Sequence, residues 1–178
     1  MRVVAGRLGG RTLKSPPGRS KEIRPTSDRA RETLFSILGD VSDLSVLDLF
    51  CGTGALAIEA ISRGADSAVL VDTATALAER NASELGIANR CEFVRSDAIR
   101  YLERTEERFG LVFCDPPYKL ADPLEPQLVQ HIPPRLARYA RLVVESPARR
   151  PISIEAPKLS LEAERRIGEA LIRIYRRS

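Results

Sequence analysis

The chain has 178 residues, of which 43% are hydrophobic and 29% are charged, and its formal net charge is +4. This length favours one domain with a small extension, and the apolar fraction excludes extensive disorder. The sequence has neither an apolar run of the ~18–20 residues that cross a bilayer nor a signal-peptide core, and its three scattered cysteines and one histidine predict no metal site. We therefore expect a soluble, cytoplasmic, monomeric protein.

Basic residues are concentrated at the start of the chain, where residues 1–31 hold nine Lys/Arg and two acids. Residues 2–5 and 11–14 predict a small hairpin around a glycine-containing turn, and residues 15–20 predict a linker. A basic arm favours a polyanionic partner such as nucleic acid, although solvated surface charge explains the same pattern. We expect an arm over residues 1–24 and a main domain over residues 25–178. The candidate RNA contacts are Arg2, Arg7, Arg11, Lys14, Arg24, Arg29 and Arg31.

The rest of the chain predicts an α/β fold. Residues 29–38 predict a short helix with Thr26, Ser27 or Asp28 as its N-cap and with Arg29, Arg31 and Glu32 on its outer face. Continuous apolar runs then alternate with helical segments, which is typical of a mostly parallel, doubly wound sheet. The predicted strands are 46–50, 68–71, 91–94, 111–114 and 142–144, and the predicted helices are 55–63, 73–85, 98–104 and 125–138. Residues 159–166 and 170–175 predict a C-terminal antiparallel hairpin, which gives seven strands in all.

The first predicted strand runs into a glycine turn at residues 52–54 with the spacing G-x-G-x-x-A. The glycines allow a ligand to approach the backbone, although a tight turn without a ligand has the same spacing. Asp48 lies inside the apolar strand, where an unpaired carboxylate is costly. Asp72 ends the second strand, where an acid can bind ribose hydroxyls. Asp97 follows the third strand; taken alone it predicts a helix N-cap, but as the third acid along one crevice it is a candidate acceptor for an adenine amine.

The fourth strand is followed by Asp115-Pro116-Pro117-Tyr118. Two prolines fix φ and remove two N–H donors, so this loop is stiff and presents carbonyl oxygens. A carboxylate beside such carbonyls suits the planar NH₂ group of a nucleobase, while Tyr118 stacks on the ring. Holding both amine hydrogens localises the nitrogen lone pair and directs it at an electrophile. A proline-rich loop with an Asp helix cap is the alternative interpretation.

In their order and spacing, residues 48–54, Asp72, Asp97 and the 115–118 loop resemble the Rossmann-like S-adenosylmethionine-dependent methyltransferases that act on exocyclic amines. Residues 2–6, 10–13 and 24–35 are also similar to the N-terminal signature of the bacterial 16S ribosomal RNA guanine-N2 methyltransferase D family. Glu59 and residues 62–65 fit the same family. The family commonly has Glu where this chain has Asp72, and Tyr where it has Ile167.

The resemblance implies a Rossmann-like sheet, S-adenosyl-L-methionine as cofactor, and methyl transfer to guanine N2. Its substrate would be ribosomal RNA or a small-subunit assembly particle. The implied catalytic residues are Asp115, Pro116, Pro117 and Tyr118. The implied cofactor-binding residues are Asp48, Phe50, Cys51, Gly52, Gly54, Asp72, Thr73, Asp97 and Ala98.

Several other functions are compatible with parts of this pattern. A DNA or other-RNA adenine N6 methyltransferase can carry the same loop, but it usually needs a large base-recognition domain. Methylation at a pyrimidine carbon needs a nucleophilic cysteine, and Cys51 and Cys114 are better explained by packing. A nicotinamide-dependent oxidoreductase and a non-catalytic RNA-binding protein are the alternatives from other classes.

Overall fold

A computed structural model of the chain describes residues 1–16 and 28–178. The helices are α1 (Asp28–Leu38), α2 (Ala55–Ser62), α3 (Ala76–Glu84), α4 (Ala98–Arg104) and α5 (Tyr118–His131). The strands are β1 (Ser45–Leu49), β2 (Ser67–Asp72), β3 (Cys91–Arg95), β4 (Phe109–Cys114), β5 (Leu136–Pro147), β6 (Leu159–Ile167) and β7 (Ala170–Arg177). None of the helices in the described ranges is long and apolar enough to cross a membrane.

The described strands form one seven-stranded sheet in the order β3-β2-β1-β4-β5-β7-β6. Strands β1 to β5 are parallel, and β7 pairs antiparallel with both β5 and β6. Apolar residues of α1, α2 and α3 pack on one face of the sheet, and those of α4 and α5 pack on the other. Because both faces are covered, the central strands are apolar throughout. The predicted Rossmann-like, doubly wound sheet with a C-terminal hairpin is confirmed.

The predicted element over residues 125–138 is wrong in its bounds. Helix α5 already begins at Tyr118, with Pro117 at its N-cap, and it ends at His131. Pro133 and Pro134 then form a short 3₁₀ turn, and β5 starts at Leu136, well before the predicted residue 142. The early start of α5 places Tyr118 in its first turn, directly after the rigid loop.

The described part of the N-terminal arm packs against the main domain. Residues 1–16 contain one antiparallel bridge, between Arg2 and Thr12, and their side chains Val3, Leu8 and Leu13 are buried in the core on the α1–α3 face. The predicted boundary at residue 24, Arg24 itself and the candidate caps Thr26 and Ser27 lie outside the described residues.

The expectation that Arg31 lies on the outer face of α1 is wrong. Its side chain is 0% exposed, and it donates hydrogen bonds to the Arg2 carbonyl oxygen and to Asp28 Oδ1, the latter at 2.7 Å. The buried residues of α1 are Ala30, Arg31, Leu34, Phe35 and Leu38. Residues three and four apart share a helix face, so Arg31 belongs to the same stripe as Leu34, Phe35 and Leu38. This arginine therefore fixes the arm to α1 rather than facing solvent.

Candidate active site

The polar residues predicted from sequence meet at one edge of the sheet. Parallel strands β1, β2, β3 and β4 end side by side, with Leu49 paired to both Val71 and Cys114. The segments that follow them begin at Phe50, Thr73, Ser96 and Asp115. Ligands of open α/β sheets bind outside the carboxyl ends of the strands, at the point where the strand order reverses. In this sheet, that point lies between β1 and β4.

The loop after β1 is held in a tight left-handed path by its own backbone. Phe50, Gly52 and Gly54 have φ values of 61°, 54° and 75°. The Gly54 amide donates to the Cys51 carbonyl at 2.7 Å, and the Ala57 amide donates to Asp48 Oδ2 at 3.2 Å. Asp48 therefore organises the start of α2 from beneath the loop, as its buried position suggested.

The two glycines differ in what surrounds them. A methyl group added at Gly54 would lie 3.0 Å from Leu70 Cδ2 and 3.1 Å from Ala78 Cβ, so this glycine is needed for packing. A methyl group at Gly52 would meet only the Phe50 carbonyl oxygen, at 4.0 Å. Gly52 thus leaves open space above the carboxyl edge of the sheet. Binding of the amino-acid end of S-adenosylmethionine in that space stays a prediction.

Two acids border this space on the β2 and β3 side. Asp72 accepts hydrogen bonds from the Gly52 amide at 3.0 Å and the Ala74 amide at 3.0 Å, so its carboxylate is fixed against the glycine loop. The next residue, Thr73, is exposed.

The second acid, Asp97, is the N-cap of α4 and accepts the Ile99 and Arg100 amides through Oδ1. The next residue, Ala98, is buried. Ribose binding by Asp72 and adenine binding by Asp97 stay predictions.

The loop after β4 lies at the centre of this edge. Asp115 is half-buried, Pro116 is buried and Pro117 is exposed. The Pro117 carbonyl accepts the Leu120 amide at 2.7 Å, which starts α5. That leaves the Pro116 carbonyl as the better candidate partner for a bound amine. The Tyr118 ring is 47% exposed, so it is available to stack on a base.

A third carboxyl group, Glu145, joins Asp48 and Asp115. Cys114, the last residue of β4, pairs with Val144 of β5, so Asp115 and Glu145 are the next residues along these two neighbouring segments. Burial raises the pKa of Asp115 well above its ordinary range, and the charges of Glu145 and Asp48 raise it further. Burial also raises the pKa of Asp48 to about 7, with a smaller contribution from Asp72. Within the described ranges, no group of three or more His, Cys, Asp or Glu is arranged to hold a metal ion.

The cysteines beside this cluster are kept as neutral thiols. Burial raises the pKa of Cys51 above its ordinary range, as do the charges of Asp48 and Asp72. Burial likewise raises the pKa of Cys114, together with the charges of Asp115 and Asp48. A thiol nucleophile needs the opposite, a depressed pKa. Neither cysteine therefore supports covalent catalysis.

The candidate RNA contacts of the arm have unequal surroundings. Arg7 and Arg29 are exposed. Arg2 forms an ion pair with Asp28 at 3.4 Å, and Lys14 forms one with Glu84. Arg11 donates to the Glu84 carbonyl at 3.4 Å. Together with the buried Arg31 of α1, these contacts mean that part of the positive charge in the described residues 1–16 and in α1 is already engaged with the protein itself.

Three residues make contacts that the sequence did not predict. Glu145 interrupts an apolar strand, which is the same signal that Asp48 gives, so this residue could have been predicted. Glu59, which matched the family signature, is 0% exposed and accepts the Val4 amide at 2.7 Å and the Ala5 amide at 3.0 Å. Asn81 donates to the Thr53 carbonyl at 2.9 Å and to the Lys14 carbonyl at 3.2 Å, which connects the arm to the glycine loop. No local sequence pattern reveals the contacts of Glu59 and Asn81, because their partners are 28 to 67 residues away.

Comparisons with known proteins agree with this architecture. The family described as "Conserved hypothetical protein 95" matches residues 1–176. The chain is 33% identical over 180 residues to the ribosomal RNA small subunit methyltransferase D of Escherichia coli K12, covering 99% of this chain and 90% of that one. It is 39% identical over 126 residues to the putative rRNA methyltransferase YlbH of Bacillus subtilis, covering 67% of each.

Solved structures show the same fold. The putative methyltransferase yhhF from Escherichia coli superposes with a TM-score of 0.82 at 32% identity, covering 100% of this chain and 98% of that one. An RNA methyltransferase from Salinibacter ruber, crystallised with S-adenosyl-L-homocysteine, has a TM-score of 0.63 at 18% identity over 86% of this chain and 93% of that one.

The doubly wound sheet and the methyltransferases that match this chain define a Rossmann-like S-adenosylmethionine-dependent methyltransferase, and these comparisons confirm the predicted cofactor. The roles of the glycine loop and of the acids along the carboxyl edge stay predictions. More narrowly, the chain belongs to the family of the ribosomal RNA small subunit methyltransferase D.

Proposed function

We propose that this protein methylates the exocyclic N2 amine of a guanine in small-subunit ribosomal RNA. At the coarser level it is an RNA methyltransferase, because its full-length relative acts as a ribosomal RNA small subunit methyltransferase. The observation that carries the proposal is the position of Asp115. It stands on a loop stiffened by two prolines, at the carboxyl edge of β4, and the half-exposed Tyr118 follows on the same loop. The neighbouring strand β1 leads into the glycine loop with the open space at Gly52.

The carboxyl groups of Asp115 and Glu145 suit the Watson–Crick edge of guanine better than that of adenine. Guanine presents two adjacent donors, its N1–H and its N2 amine, whereas adenine presents an N1 acceptor beside its N6 amine. Asp115 follows β4 directly and Glu145 lies beside it on β5, so both carboxyl groups are at this edge of the sheet. Two neighbouring acceptors pair with two neighbouring donors, and they would repel the lone pair of adenine N1.

The residues of the chain then act on the bound base. S-adenosylmethionine supplies an electrophilic methyl group on its sulfonium. Asp115 and the Pro116 carbonyl accept the two amine hydrogens, which draws the nitrogen lone pair out of conjugation and aims it. Tyr118 stacks on the unstacked purine. Rate enhancement comes mainly from this positioning and from the fixed negative groups around the amine.

The raised pKa of Asp115 gives this carboxyl group a further use. The amine loses one proton once it is methylated, and a carboxylate with a raised pKa accepts that proton more readily than one with an ordinary pKa. Glu145 supports this step because its charge opposes a permanent negative charge on Asp115. The proposed substrate is ribosomal RNA or a small-subunit assembly particle, with the protein acting as a monomer.

The proposal is tested by mass spectrometry of nucleosides. Small-subunit ribosomal RNA from cells with and without the gene is digested and compared. Loss of one equivalent of N2-methylguanosine, restored by the purified protein with S-adenosylmethionine, is the expected result. Loss of N6-methyladenosine instead would assign the enzyme to the adenine class. An unchanged nucleoside profile would refute ribosomal RNA as the substrate.

A further inference from the structure

Two turns lie side by side at the carboxyl edge of the sheet, beyond the end of β5. Pro147 pairs with Ala170, and the Ala148 amide donates to the Glu169 carbonyl at 2.7 Å. The first turn is closed by the Arg150 amide, which donates to the Pro147 carbonyl at 3.0 Å. We call residues 147–150 together with residues 165–169 the double turn.

The double turn is strongly basic. Its charged residues are Arg149, Arg150, Arg165, Arg166 and Glu169, and all five are exposed. Arg165 donates to the Glu164 carbonyl at 2.8 Å, and Arg166 donates to the Gly168 carbonyl at 3.2 Å. Both acceptors are neutral, so these bonds orient the guanidinium groups without cancelling their charge. On the arm, in contrast, Arg2 and Lys14 are paired with carboxylates.

The register places the double turn close to the candidate site, that is, the 115–118 loop and the open space at Gly52, which we call the pocket. Glu145 lies beside Asp115, and the first turn begins only two residues later, about 7 Å along the strand. Ser146 pairs with Leu171, which in turn pairs with Arg166. With about 4.8 Å between neighbouring strands, the backbone of Arg166 lies about 10 Å from that of Ser146.

The arm packs over the other half of the sheet. Glu59 and Ser62 of α2 and Asn81 of α3 hold it by hydrogen bonds. These helices contact β1, β2 and β3. In the strand order, β4 and its catalytic loop stand between these strands and the β5-β7-β6 half that carries the double turn. The double turn therefore lies on the opposite side of the 115–118 loop from the strands that the arm packs over.

We propose that the double turn binds the phosphate backbone of the substrate RNA on the side of the pocket opposite the arm. The inference rests on the proposed function, since it concerns the RNA that carries the target guanine. A base can be extruded only if the backbone flanking it is held, and phosphate contacts fix the register of a strand without reading its sequence. Arginine is suited to this contact because its planar fork matches phosphate geometry.

The test compares two double variants that remove the same charge. Arg149→Gln/Arg166→Gln neutralises the double turn. Arg104→Gln/Arg108→Gln is the matched control, because Arg104 ends α4 and Arg108 precedes β4, at the opposite edge of the sheet. The probe is an unmodified transcript of small-subunit ribosomal RNA, and its Kd is measured between about 50 and 200 mM salt.

For the double-turn variant we expect the Kd for RNA to rise about tenfold. The slope of the log of the association constant against log salt should become less negative by about 2. The affinity for S-adenosylmethionine should match that of the wild type. RNA affinity and a salt slope equal to those of the control variant would overturn the inference, as would a wild type that does not bind the transcript.

Other outcomes separate the inference from the proposed function. If the wild-type enzyme leaves guanine N2 unmodified while the double-turn variant loses RNA affinity, the proposed function fails and the phosphate contact stands. If the variant binds the naked transcript normally but fails to methylate a small-subunit assembly particle, the double turn contacts a protein of that particle. The RNA assignment is then wrong.

Discussion

Asp115 and Glu145 occupy neighbouring positions, one residue beyond the paired Cys114 and Val144, with Asp115 at the start of the loop after β4 and Glu145 within β5. This adjacency places two carboxyl groups where a single one is enough to bind an amine. Its consequence is electrostatic, because each negative charge makes ionisation of the other less favourable. The pair therefore adjusts the pH at which Asp115 becomes a charged acceptor.

Replacing Glu145 by Gln should shift the pH dependence of methylation. The charge of Glu145 raises the pKa of Asp115, so removing it lowers that pKa and populates the ionised carboxylate at lower pH. The acid limb of the profile of kcat/KM against pH should move to lower pH. Glu155→Gln, an exposed change at a distance from the pocket, serves as the control. A limb that stays in place or moves upward would show that Glu145 does not act on Asp115.

Replacing Asp115 by Asn should separate catalysis from cofactor binding. The amide keeps the size of the side chain but offers one acceptor and adds a donor that faces the amine. We expect kcat to fall by about 10²–10³, while the Kd for S-adenosylmethionine changes by less than about threefold. Single-turnover methyl transfer and calorimetric titration measure the two quantities. A parallel loss of cofactor affinity would place Asp115 in the cofactor site.

Gly52 and Gly54 should respond differently to alanine. Gly52 faces open space, so Gly52→Ala should cost only about 1–2 kcal/mol of stability from its positive φ but lower S-adenosylmethionine affinity more than tenfold. Gly54→Ala meets Leu70 and Ala78 at about 3 Å and should lose a further 1–3 kcal/mol by overpacking. Denaturant unfolding and cofactor titration check both. Undiminished cofactor binding by Gly52→Ala would mean that the open space is not the cofactor cradle.

The sequence predicted the sheet well because its strands are buried on both faces, and such strands appear as uninterrupted apolar runs. Asp48 and the 115–118 loop could be found because polar residues at strand ends stand out against those runs. The burial of Arg31 could not be predicted, because the helical pattern was identified from apolar residues alone and an arginine is expected to face solvent. Its partners are Arg2 of the arm and Asp28 in the first turn of α1. Glu145 could have been predicted, because an acid inside an apolar strand stands out in the sequence. The anchoring role of Glu59 could not, because it depends on contacts that form only after folding.

Asp48 should make the stability of the free protein depend on pH. Its pKa is raised from 3.8 to about 7 in the folded state. The folded protein therefore holds a proton that the unfolded chain has lost, and stability falls as pH rises from about 4 to about 7, by up to about 4 kcal/mol. Asp48→Asn should remove this decline and be the more stable protein at pH 8. Asp66→Asn, at an exposed position, should keep the wild-type profile.

Denaturant unfolding at several pH values measures this difference. Parallel stability profiles for wild type and Asp48→Asn would show that the carboxyl group is ionised throughout the range. The same variant should also bind S-adenosylmethionine, because an amide oxygen can still accept the Ala57 amide that Asp48 accepts at 3.2 Å.

Glu59 should act as the anchor of the arm. Its buried carboxylate accepts the Val4 and Ala5 amides and pairs with Arg63 at 2.7 Å. Glu59→Gln leaves one acceptor for these donors and adds a buried NH₂ group, so we expect a loss of about 3 kcal/mol in the free energy of unfolding. Hydrogen exchange should accelerate at Val4 and Ala5 before it does so in β1. Glu32→Gln, on the exposed side of α1, is the control, and equal protection of the arm in both variants would show that burial of Val3, Leu8 and Leu13 is sufficient to hold it.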